Sequence, residues 1–145
     1  MTVIFANNFK NILDKLRSVL RDEFKGSMPV YIGQETNNEG TQYLRLDPIG
    51  NDLNEYNNLG EIREFEISML YYFAEPNLNK TSLDHVLRMV SRIEALIHDN
   101  LTMTLSDSSR CFNCRIDTTK LNALEQENEY AVELVWRGQH QGNLS

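Results

Sequence analysis

Two cysteines stand three apart, at Cys111 and Cys114, and three carboxylates, Asp47, Glu64 and Glu66, fall near the ends of strand-like runs. The cysteines could serve redox or zinc chemistry, and the carboxylates could hold Mg²⁺ in a metal-dependent nuclease. A zinc site requires about four ligands. No second cysteine pair exists, and His85, His98 and His140 show no ligand spacing with the first. Redox C-x-x-C pairs sit at helix N-termini, which lower a thiolate pKa. Here SRCFNCRID reads as a strand, where positions three apart point to opposite faces, so the expectation is two reduced structural cysteines. The nuclease reading lacks the lysine usual beside the last carboxylate, since Phe65, Ile67 and Ser68 occupy that neighbourhood.

Nucleophile elbows, phosphate-cradling loops and dinucleotide fingerprints are absent, and Gly33, Gly40, Gly50 and Gly60 read as turn residues. His85 and His98 lie off the apolar stripe of a helix, with His98 placed to meet its C-terminal dipole, and His140 falls in a polar tail. The expectation is no catalytic residue, no cofactor and no metal.

The elements that would position any site follow from periodicity. The chain has 145 residues, 41% of them hydrophobic and 24% charged, with formal charge −7, which fits one soluble domain. The surplus of acids opposes binding to a nucleic-acid backbone. No signal-peptide pattern opens the sequence, and the longest uncharged stretch, Ile67 to Ala74, is too short to span a bilayer. The cytoplasm, or an assembly built there, is the expected location.

Phe5, Phe9, Ile12, Leu13, Leu16, Val19, Leu20 and Phe24 predict a first amphipathic helix, stopped by Gly26 and Pro29. Pro29 to Gly33 and Thr41 to Leu46 read as a hairpin with a longer loop. The segment Asp47 to Gly60, rich in Asn and Gly with Pro48, reads as a long protruding loop. Its isolated apolar residues Ile49, Leu53, Tyr56 and Leu59 would give a partner something to bury. Glu61 to Phe73 alternates as a central strand, with Phe65, Ile67, Met69 and Tyr71 facing the core and Glu64, Glu66 and Ser68 facing outward.

Thr81 or Ser82 caps a second helix carrying Leu83, Val86, Leu87, Val90, Ile93 and Ile97. Leu101 to Leu105 is a short strand or connector, and Phe112, Cys114 and Ile116 form a strand face. Asp117 to Asn128 reads as loop or a short helical turn, Glu129 to Arg137 as a last strand, and 138–145 as a flexible tail. The fold class is α+β: one domain over 1–137, with two helices on one face of an antiparallel or mixed sheet of about five strands, in the order α-β-β-β-α-β-β.

That order resembles the tail terminator (tail-completion or neck) proteins of tailed phages. The resemblance is carried by DEFKGSMPVYIG ending the first helix, the loop LDPIGNDLNEYNNLG, the strand REFEISMLYYF, the helix SLDHVLRMVSRIEALIH and the last strand EYAVELVWRG. It covers nearly the whole chain through arrangement and character, without a diagnostic motif. The resemblance implies a structural virion protein without catalytic residues. Such proteins form a homohexameric ring at the head-proximal end of the tail, between tube protein and head connector, with DNA passing unbound through the channel. Asp47, Ile49, Leu53, Tyr56 and Leu59 are then the expected subunit or tube contacts. Asp52, Glu55, Glu64 and Glu66 are the expected lumen-facing acids. Another head-completion component, or a monomeric acidic adaptor of the immunity type that masks a basic partner, are the competing readings.

Overall fold

The computed structural model describes residues 7–33, 42–57, 60–74, 80–123 and 129–142. It contains two helices, α1 (Asn8–Phe24) and α2 (Lys80–His98). Six strands, β1 (Val30–Ile32), β2 (Gln42–Asn57), β3 (Gly60–Ala74), β4 (Met103–Thr104), β5 (Arg110–Ala123) and β6 (Glu129–Gly142), form one mixed half-barrel sheet in the order β1-β2-β3-β6-β5-β4. The class is α+β as expected, with six strands where about five were foreseen.

Both helices bury one stripe against the same face of the sheet. Ile12, Leu16 and Leu20 of α1 and Val86, Ile93 and Ile97 of α2 join Leu44, Leu46, Ile67, Met69, Leu134 and Trp136 in one core cluster. The Asn7 side chain accepts from the Lys10 N–H to cap α1, and Lys25 closes it in the left-handed conformation. Arg92 of α2 bonds Glu23 of α1 at 2.9 Å and lies 4.8 Å over the Phe24 ring, tying the helices together. No helix among the described residues is long and apolar enough to cross a membrane.

The structure corrects five expectations. Residues 30–32 and 44–46 pair in parallel, not as a hairpin, with Val30 beside Leu44. A hairpin connection is usually two to five residues, and the interval between Ile32 and Gln42 is longer. Most of the expected loop Asp47 to Gly60 is strand: β2 runs unbroken to Asn57 and pairs along β3 from Gln42↔Phe73 to Asn57↔Gly60. Its Asn and Gly content signals turns locally, but pairing with a strong strand overrides that preference.

The expected tail from Gly138 continues as strand to Gly142, opposite Glu61 of β3. The loop expected at Asp117 to Asn128 is strand as far as Ala123. The fold places Cys111 and Cys114 on one face, not on opposite faces, because β5 carries an extra residue between the pairs Phe112↔Gln139 and Arg115↔Arg137. Asn113 absorbs that bulge at φ 55°, a conformation Asn tolerates better than most residues.

Candidate functional site

The surface divides into a projecting arm, an opposite sheet edge, and an outer face that carries charge. The arm is the distal half of the β2–β3 hairpin. In it Asp52 lies across from Glu64, Leu53 from Arg63, and Tyr56 from Glu61, with bulges at Pro48/Gly50 and Leu53/Glu55. Among the described residues β1 covers β2 only at Leu44 to Leu46, so the outer edge of β2 carries no strand from Asp47 to Asn57. Along it Ile49, Leu53 and Tyr56 are 52%, 48% and 64% exposed, amounts that mark solvent-facing apolar side chains and not core. The expected contact residues Asp47, Ile49, Leu53 and Tyr56 therefore lie together on one strand, while Leu59 falls outside the described residues.

Side-chain parity sorts this arm. Phe65 and Ile67 face the helices and Glu64 and Glu66 face away. By register Leu53 and Tyr56 share the helix side, whereas Asp52 and Glu55, opposite Glu64 and Ile62, share the outer side. The four acids expected to face a lumen thus lie on one surface. That surface also holds two cations that sequence reading did not connect to them.

Arg115 and Arg137 are direct cross-strand partners, an arrangement that repels unless anions intervene. Glu64 accepts from Arg115 at 2.9 Å and from Arg137 at 3.1 Å, and Glu66 accepts from Arg137 at 3.1 Å. Asp117 closes the circuit, 2.9 Å from Arg115 and 3.0 Å from Arg137. It reaches both because β5 bulges a second time between Ile116 and Thr118, leaving Asp117 as the extra residue. Hydrogen bonding to Arg115, opposed by partial burial, holds the Glu64 carboxyl below the ordinary range. Three carboxylates against two guanidiniums leave the cluster one charge short of neutrality.

The remaining chemistry-bearing side chains are structural in setting. Cys111 and Cys114 are buried, and their thiols contact each other. The hydrogen bond from Cys114, reinforced by burial, pushes the Cys111 thiol far up. Thiol reagents are therefore expected to leave both unreacted in the native protein and to modify both after denaturation, as intact-mass measurement will show. Rapid native labelling would contradict this placement.

His140, expected in a tail, is buried in β6 beside Phe65. Ser109 Oγ donates to Asp107 Oδ1 at 2.5 Å, which leaves His140 Nε2, 2.9 Å away, to donate to Ser109 Oγ. That order places a proton on Nε2 and does not activate the hydroxyl. Burial lowers the His140 pKa from 6.5. The unfolded chain then binds the proton more readily, so this contribution to stability is full above pH 6.5 and declines as pH falls below it. NMR titration is expected to place the His140 midpoint below 6.5. A midpoint at or above the ordinary value would show the ring is not buried neutral.

Among the described residues no three His, Cys, Asp or Glu side chains converge so as to hold a metal ion. The concavities are shallow. One of about 420 Å³ lies between the start of α1 and the arm, lined by Asn7, Phe9, Asn51, Glu61 and Arg63.

No protein-family model matches this chain, and no curated protein matches its sequence. Solved structures do match its fold. A chain of the structure described as the virion of a native gene transfer agent particle superimposes with a TM-score of 0.57 at 16% identity, covering 95% of this chain and 100% of its own. A second solved chain, whose description states no function, gives a TM-score of 0.63 at 13% identity, covering 97% and 99%. The whole domain is thus a fold also found in a gene transfer agent virion. At these identities the likeness defines the fold and nothing finer.

Proposed function

We propose that this chain is a structural virion protein of a tailed phage or phage-like particle. In this reading it forms a homo-oligomeric ring, a hexamer by the resemblance to tail terminators, at the head-proximal end of the tail. There it ends the tail tube and joins it to the head connector, and DNA passes through without specific binding. The observation that carries this reading is the end-to-end match to a chain of a gene transfer agent virion. Two further features support it. A head-to-tail ring needs two different complementary surfaces on each subunit, and this sheet has two uncovered edges of different character, on β2 and β5, among the described residues. The distal acids Asp52 and Glu55 repel a passing polyanion over roughly 8 Å at physiological salt.

The adaptor reading draws on the formal charge of −7. The cluster of Glu64, Glu66 and Asp117 with Arg115 and Arg137, three acids against two bases, contributes only one net negative charge to that total, so it is not the dominant acidic patch an adaptor would need. Immunogold labelling of intact particles tests the proposal. Gold is expected at the junction of tail and head, and label confined to capsid or distal tail, or absent from particles, would reject it.

A further inference from the structure

The ring reading leaves open which surfaces meet. We propose that the arm of one copy, along β2 from Ile49 to Tyr56, seats on the β4 flank of the next copy, Leu101 to Thr104. There it offers its carboxylates to Arg110, in the hollow behind that flank. The occupant of the bare β2 edge is thus a second copy of this chain, held head to tail.

Three observations carry this. The first is level. Leu53 lies opposite Arg63, Arg63 opposite His140, His140 opposite Cys111 and Cys111 opposite Met103. Arm and β4 therefore stand on one row across the sheet. Rotation about an axis along the strands preserves that level and brings the β4 of one copy beside the β2 of the next. The second is direction. Each step from β2 through β3, β6 and β5 to β4 is antiparallel, so β4 runs parallel to β2. β2 already takes β1 in parallel at Leu44 to Leu46. The neighbour's β4 would continue the same side of β2 in the same sense, farther along the strand. Thr102 and Thr104 are exposed, and among the described residues no strand lies beyond β4.

The third observation is complementarity of side chains. Leu101, 55% exposed and two residues before Met103, comes level with Asn51, between the exposed Ile49 and Leu53 of the arriving arm. On the outer side a hollow of about 540 Å³ is lined by Thr102, Ser109, Arg110, Phe112 and Gln141. Glu55 and Gln141 both lie opposite Ile62, and Arg110 lies opposite Thr104, one step past Met103. Glu55 of the arm is then level with the neighbour's Arg110, and Asp52 is level with its Phe112 through Glu64 and Gln139. Two strand spacings, roughly 10 Å, separate those backbones, a gap that glutamate and arginine side chains together span. Arm against arm, the two-fold alternative, would set Asp52 and Glu55 against themselves, which disfavours it. Main-chain pairing along an open edge supplies the attraction, and side chains on the two faces select the partner.

The inference rests on the ring reading, and cross-linking separates the two. Leu53→Cys and Leu101→Cys variants are prepared separately, combined with and without tail tubes, and treated with a short bis-maleimide. The wild type is the blank, since Cys111 and Cys114 are buried. Circular dichroism matching the wild type shows that each variant is folded. The expected result is a cross-linked dimer only in the mixture of the two variants, and a ladder of multimers when one chain carries both cysteines. Arg110→Glu in the Leu101→Cys chain should reduce the yield by about tenfold, and Glu55→Arg in the Leu53→Cys chain should restore it. An unchanged yield with Arg110→Glu overturns the role of the arginine. Cross-linking of Leu53→Cys alone, or of Leu53→Cys to Leu121→Cys at the far end of β5, overturns the seating of the arm on β4. No cross-link while micrographs show rings on tubes overturns the seating and leaves the ring. No cross-link and no ring on tubes overturns both.

Discussion

Replacing Trp136 with alanine is expected to cost about 3–5 kcal/mol, the largest loss from any single side chain in this fold. Trp136 is fully buried at the middle of β6, between Ile67 of β3 and Ile116 of β5. Its ring folds back along its own strand over Gly138, where a Cβ would fall 2.5 Å from Trp136 Cη2, 2.7 Å from Cζ2 and 3.0 Å from Cys111 Sγ. The glycine is therefore required by the tryptophan, two residues away on the same face of β6. Gly138→Ala should cost about 1–3 kcal/mol as overpacking, and Gly138→Val more. In a Trp136→Leu background the same Gly138→Ala change should cost much less, because the atoms it would strike are gone. Urea denaturation of the four proteins in this cycle measures the coupling. Additive losses would show that the tryptophan does not occupy the space above the glycine. Trp136 Nε1 is buried with no hydrogen-bond partner among the described residues, so Trp136→Phe loses volume but no bond to them and should cost less than Trp136→Ala.

Arg137→Met should destabilise the protein by about 2 kcal/mol at neutral pH, more than an ordinary surface ion pair contributes. Its guanidinium bonds Glu64, Glu66 and Asp117 at 3.0 to 3.1 Å, so its removal leaves three converging carboxylates with Arg115 alone among them. The pH dependence separates this cause from lost packing. The Glu64 pKa is lowered from 4.5 in the folded state by its arginine bonds. Its contribution is then complete above that value and fades as pH falls through the depressed folded value. The wild type should lose stability steeply in acid, both from this cluster and from His140. The Arg137→Met protein should start lower at pH 7 and fall less, so that the two curves converge as pH falls below 4.5. A constant offset across that range would mean the arginine acts through its aliphatic stem and not its charge.

Much of this architecture was readable from periodicity. The stripe Ile12, Leu16, Leu20 and the stripe Val86, Val90, Ile93, Ile97 repeat at helical spacing, and both are buried. The alternation of Phe65, Ile67, Met69 and Tyr71 gave the central strand and its faces in the same way. What sequence could not show is non-local. The arm reads as turn chemistry because Asn51, Asn54 and Gly50 are turn residues taken alone, and only a long partner in β3 makes them strand.

Bulges break the two-residue parity on which face assignment depends. One at Asn113 brings the cysteines together, and one at Asp117 joins two arginines that stand far apart in sequence. Asn113, a residue that accepts a left-handed conformation, was the one local clue. Gly138 and His140 looked like the start of a tail because glycine is rare within strands. Its reason for being there is a tryptophan ring that no local pattern reveals. Of the candidate site, the positions were legible and their grouping was not. Ile49, Leu53 and Tyr56 stand out as apolar residues in polar surroundings, but their place along one uncovered strand edge emerges only from the sheet order.

The proposed function depends on copies of this chain assembling into a ring. Native mass spectrometry of the purified chain, alone and bound to tail tubes, tests it most directly. A single closed species of defined stoichiometry, six copies by the resemblance, is expected on tubes, and it should disappear when Leu53 and Tyr56 are both changed to lysine. A chain that stays monomeric on tubes at every concentration, or that stops at a dimer, would contradict it.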